Sequence, residues 1–127
     1  MATFDQVLQY VQHNGGKVHS DNLIGQTRAA QIEWPTGQGR SQIAFLGLPD
    51  PTMLMVSSPV CKRAQTNVEV LMQQAALFGV GTLGEFYTLR TTVHLPTLDV
   101  EDLQTVLTFL LGEADILEKR ITGADNL

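Results

Sequence analysis

With 127 residues, 43% of them hydrophobic, the chain is long enough to bury a core without staples, and it is read as one domain over 1–127. Its formal net charge of −5 and its eight scattered Lys and Arg, with no basic run, exclude the usual nucleic-acid or anionic-membrane partner. The single cysteine, Cys61, rules out an intrachain disulfide and points to a reducing compartment.

The opening Met-Ala-Thr-Phe-Asp carries neither the charged region nor the apolar core of a signal peptide. The longest apolar run falls far short of the roughly 20 residues of a membrane span. A cytoplasmic protein is therefore expected.

Thr3 to His13 reads as a short amphipathic helix, because Thr3 and Gln6 form a capping box and Phe4, Val7, Leu8 and Val11 share one face. Asn14-Gly15-Gly16 ends it. Lys17 to Leu23 is a strand candidate without a clear period. Thr27 to Trp34 alternates, with Ala30, Ile32 and Trp34 on one side and Gln31 and Glu33 on the other. Pro35 to Gly39 is a turn, and Ser41 to Leu48 returns with Ile43 and Phe45 facing away from Ala44 and Leu46. Pro49-Asp50-Pro51 makes a tight connection into Thr52 to Ser58, in which Met53 and Met55 read as sheet core. Short loops between such strands give an antiparallel meander.

Thr66 to Phe78 is the middle helix. Thr66 and Glu69 offer a capping box, Val68, Leu71, Met72, Ala75 and Ala76 form the stripe, and Gly79 is the stop. A Gly-rich connection leads to the strand Glu85 to Leu95. Leu95-Pro96 ends that strand, and the longest helix follows.

Asp99 is its N-cap, Glu101 and Asp102 suit the positive end of the dipole, Lys119 and Arg120 suit the other end, and Gly123 stops it. Leu103, Leu107, Leu110, Ala114, Leu117 and Ile121, with Val100, Val106 and Leu111, form a broad arc for a sheet to bury. Its carboxylates read as a solvated face or a cap. The order of elements suits an α+β domain with helices packed on an antiparallel sheet.

Thr105, Phe109, Gly112 and Ile116 stand off that arc at i, i+4, i+7 and i+11. Either another segment of the same chain covers Phe109 and Ile116, or the four form a seam for a partner or a second copy. In the second case Gly112 lets another backbone come close.

The chemistry-bearing motifs are few. Gly79-Val80-Gly81-Thr82-Leu83-Gly84 matches the dinucleotide fingerprint G-x-G-x-x-G, but a helix precedes it and a strand follows. A phosphate cradle needs the reverse order, so it is read as a helix stop and a flexible connection. His13, His19 and His94 have no metal-ligand spacing. Cys61 beside Lys62 and Arg63 is either a thiol of lowered pKa or a structural cysteine. No nucleophile elbow, P-loop or zinc-protease motif occurs. No cofactor, metal or catalytic residue is expected.

The second half resembles the YbjN family, which shares its fold with type III secretion chaperones. The resemblance is carried by Gly84-Glu85-Phe86-Tyr87 after a helix, then Leu95-Pro96, Leu98-Asp99, and a long helix with Ala114-Asp115 near its end. The N-terminal helix and meander agree in order. The chain departs from the family in one respect. Glu85 to Leu95 holds no Gly, Asn, Asp or Pro, so it reads as one strand where the family has two with a turn.

The resemblance implies a non-enzymatic, often dimeric protein that holds a segment of another protein, with no catalytic residues. A chaperone-like homodimer is the leading reading. The alternatives are a small-molecule sensor or enzyme with a pocket between sheet and helices, using His94 and Tyr87, and an accessory subunit of a larger complex.

Overall fold

In a computed structural model that describes residues 2–24, 27–37, 39–75 and 78–122, the elements follow in the order α1 (Phe4–His13), β1 (Lys17–Ile24), β2 (Thr27–Gly37), β3 (Arg40–Asp50) and β4 (Met53–Lys62). Then come α2 (Val68–Ala75), β5 (Gly79–Leu83), β6 (Phe86–His94) and α3 (Leu103–Thr122). All neighbouring strands are antiparallel, in one sheet of order β1-β2-β3-β4-β6-β5. The fold is the expected α+β arrangement of helices on an antiparallel sheet.

The alternation in β2 is realised as written, with Ala30, Ile32 and Trp34 buried. Ala44 and Leu46 of β3, Leu54 and Val56 of β4, and Leu89 of β6 point the same way. Onto this face α3 lays Leu103, Leu107, Leu110, Leu111, Ala114 and Leu117, all buried, against β4, β2, β3 and β6. Each large aliphatic side chain buried there contributes roughly 1.5–3 kcal/mol before chain entropy is set against it. The capping box of Thr3 and Gln6 starts α1, whose Phe4, Val7, Leu8 and Val11 join the same core. Tyr10 stacks on Trp34 at 6.4 Å between centroids.

Several boundaries differ from the sequence reading, each for a local reason. β1 shifts register between Val18 and Ser20, and this bulge is what erases its period in the sequence. β4 runs on through Pro59 to Lys62, because a second irregularity between Pro59 and Cys61 accommodates a proline that has no N–H for the ladder. Met53 and Met55 lie half-buried on the opposite sheet face from Leu54 and Val56, so they are not core.

Asn67, not Thr66, caps α2, its Oδ1 accepting from the Val70 N–H at 2.9 Å. Leu71 and Ala75 hold the buried face of α2, while Val68 and Met72 are exposed; Ala76 lies outside the described residues. Asp99 caps a single 3-10 turn, Val100–Asp102, that feeds into α3, and Gly123 lies outside the described residues.

The segment read as a flexible connection is strand β5. Leu83 and Phe86 pair across a two-residue turn in which Gly84 takes φ 59°, a left-handed conformation that glycine adopts without steric cost. Phe86–His94 is one strand, as read, and β5 pairs with it from the other side of the Gly84 turn.

Candidate functional site

Thr105, Phe109, Gly112 and Ile116 share the face of α3 turned away from the sheet. Phe109 is 64% exposed and Ile116 48%, so among the described residues nothing covers them. Thr105 is exposed and Gly112 half-buried, and a methyl group added at Gly112 would meet nothing within 4 Å. Thr105 and Phe109 also line a hollow of about 470 Å³ between α3 and the end of α2, floored by Thr91 and flanked by Ala75 and Phe78. Gly112 and Ile116 continue the seam beyond it. Val68, Val70 and Met72 leave α2 with further apolar surface.

A second apolar surface was not singled out in the sequence. On the sheet face opposite α3, Ile43, Phe45, Met55, Pro59, Leu83 and Phe86 line two adjoining hollows of about 490 and 460 Å³. The signal was present in Ile43-Ala44-Phe45-Leu46 and Met53-Leu54-Met55-Val56. Both sets of alternating positions there are apolar, so each strand greases both of its faces.

The carboxylates of α3 are not all solvated. Asp115 is 8% exposed and Glu118 1%. Arg40 Nη2 donates to Asp115 Oδ1 at 2.8 Å, and Gln42 Nε2 donates to the Pro59 carbonyl at 2.9 Å and lies 3.5 Å from Glu118 Oε2. This cluster fastens α3 to β3 and β4. It is enclosed by protein, which suits a structural tie rather than a general acid facing a substrate.

The remaining candidates do not assemble into a reactive centre. His94 and Tyr87, invoked for a pocket between sheet and helices, stand seven residues apart on β6, roughly 23 Å at strand rise. His94 Nδ1 lies 3.2 Å from the Thr97 hydroxyl, and Tyr87 packs under the Arg63 guanidinium at 6.0 Å. His19 Nε2 lies 3.1 Å from Glu33, whose carboxyl is held below its ordinary value first by the Ser41 hydroxyl and then by His19. Cys61 is buried, and burial pushes its thiol pKa up, so Lys62 and Arg63 do not activate it. Among the described residues no three His, Cys, Asp or Glu come together as metal ligands would, and no helix is long and apolar enough to cross a membrane.

No family model and no curated protein matches the chain. Among solved structures it is similar to a chain of the crystal structure of the ExsC–ExsE complex, with a TM-score of 0.53 and 12% identity over 95% of this chain and 97% of that one. At that identity the likeness is one of fold, and the fold is the type III secretion chaperone-like α+β arrangement that the resemblance implied.

Proposed function

We propose that this chain is a cytoplasmic, single-domain, non-enzymatic protein-binding module, YbjN-like and chaperone-like, which holds a segment of a partner protein and works as a homodimer. The observation that carries the reading is the apolar seam on α3, where Phe109 and Ile116 stand in solvent on either side of an unobstructed Gly112. Large exposed apolar side chains gathered on one face mark an interaction surface more often than they mark chance. The structural neighbour lends support, since it too comes from a protein complex.

A two-fold axis passing between Gly112 and Glu113 sets Phe109 opposite the partner's Ile116, and Ile116 opposite the partner's Phe109. Such self-complementarity is what an isologous interface requires. A smaller side chain at Gly112 than at any neighbour lets the helices approach closely there.

Sedimentation velocity at tens of micromolar tests the homodimer. The expected result is a dimer for the unmodified chain and a monomer of unchanged helix content for Phe109→Asp. A monomer for the unmodified chain at that concentration overturns this part of the reading.

A further inference from the structure

We infer that the open face of the sheet is a groove for an extended partner segment that carries one acidic side chain among apolar ones, its carboxylate pairing with Arg90. The inference rests on the protein-binding reading above and names the surface and the chemistry of the segment.

The two hollows on this face share Gln31, Phe45 and Leu83, so they form one continuous trough, and both are open to solvent. Leu83 is 44% exposed at its lip. An open, apolar trough across a sheet suits an extended chain, whose alternate side chains drop into successive hollows.

The charge on this face gives the segment its character. Strand register sets Gln31, Phe45, Ser57, Arg90 and Gly79 in one row across the sheet. Arg90 is the cation of that row. Arg28 and Arg40, the other arginines of the sheet, each hold a carboxylate, at 2.7 and 2.8 Å. Arg90 holds none among the described residues. Its Nη2 donates only to the Thr82 carbonyl at 3.3 Å, and its Nε is buried with no acceptor.

Beside Arg90, the Thr88 hydroxyl is also buried without a partner. A half-buried guanidinium with unused donors favours a carboxylate more than water-exposed charges do. Its position is built in. It lies flat on Gly81, where a methyl group would come within 2.0 Å of the guanidinium carbon. Glu85 lines the first hollow, five residues from Arg90 and roughly 16 Å away along the strand. Arg90 lines neither hollow but adjoins Ser57, which lines the second, in the same row, so an acidic residue of a segment laid over that row meets its guanidinium.

Fluorescence anisotropy with two defined probes tests this. One is a fluorescein-labelled dodecapeptide of alternating valine and threonine with a single central glutamate; the other has glutamine in its place. On the unmodified protein at low ionic strength, the glutamate peptide is expected to bind on the order of tenfold more tightly. Arg90→Gln removes that preference and leaves the affinity for the glutamine peptide about the same. Gly81→Ala, which keeps the charge and displaces the guanidinium, reduces the preference too. Phe45→Ser weakens both peptides.

Equal affinity of the two peptides for the unmodified protein, or a glutamate preference that survives Arg90→Gln, overturns the inference. So does failure of both peptides to bind, or saturation of the groove by sodium dodecanoate more tightly than by the peptide, which would make the occupant a lipid. None of these outcomes touches the dimer through α3 or the binding of segments elsewhere, so the broader reading is judged separately.

Discussion

Arg40 donates to Asp115 at 2.8 Å, joining residues 75 positions apart in the chain. The pair ties the start of β3 to the C-terminal half of α3, at the end of the helix farthest from its Asp99-capped entry. It sits among Gln42 and Glu118, so the last turns of α3 are fixed by polar bonds as well as by Leu110, Ala114 and Leu117. The long helix is thereby held along its length, and its far side is presented as a rigid surface.

Asp115→Ala removes the carboxylate and leaves a partly buried guanidinium short of one acceptor. The side chains are 26% and 12% exposed, between the surface and fully buried cases, so a loss on the order of 2 kcal/mol is expected. Urea unfolding followed by circular dichroism measures it. A loss below about 0.5 kcal/mol would show that the tie is not structural.

The two faces of α3 respond oppositely to truncation. Leu110→Ala, at a fully buried position, costs about 2–5 kcal/mol in the same unfolding experiment. Phe109→Ala, one residue earlier and 64% exposed, changes monomer stability by no more than about 0.5 kcal/mol. Comparable losses at both sites would place Phe109 in the core.

Cys61 is buried, with its thiol pKa raised by burial. Labelling with Ellman's reagent at neutral pH is expected to be slow on the folded protein and fast in denaturant, because the thiolate is the reacting species. Rapid labelling of the folded protein would restore the reading of an activated thiol.

Acid should weaken the fold in part through Asp21. The Arg28 guanidinium, bonded to Asp21 at 3.1 and 2.7 Å, holds this carboxyl below its ordinary value of 3.8. A depressed folded pKa gives stability that is complete above the unfolded value and is lost as pH falls through the folded one. The pair lies at the surface, 27% and 35% exposed, where water screens it, so its share is under about 1 kcal/mol. Arg28→Ala should therefore flatten the stability profile below about pH 4, measured by urea midpoints across the acid range. An unchanged acid limb would contradict it.

The helices and the covered sheet face were legible because one physical rule governs them. Phe4, Val7, Leu8 and Val11, and the arc from Leu103 to Leu117, repeat at helical spacing and are buried together. The seam at Thr105, Phe109, Gly112 and Ile116 was legible as a departure from that spacing, and the structure leaves its two large residues uncovered.

Strand β5 was not legible. Gly79 and Gly81 read as punctuation, whereas here they make room on one face for the Arg90 side chain. The carboxylates of Asp115 and Glu118 were misassigned to solvent because their cover comes from β3, and helical spacing alone says nothing about what lies opposite. The open sheet face was missed for a related reason: Met53 and Met55 are apolar, and hydropathy does not distinguish a side covered by helices from one left to the solvent.

Selection of random dodecapeptides displayed on phage against the immobilised protein tests most directly whether it holds segments of other proteins. The expected outcome is enrichment of apolar-rich sequences that compete with one another for a shared site and bind in the micromolar range. No enrichment beyond that on an unrelated acidic protein of similar size would contradict the protein-binding function.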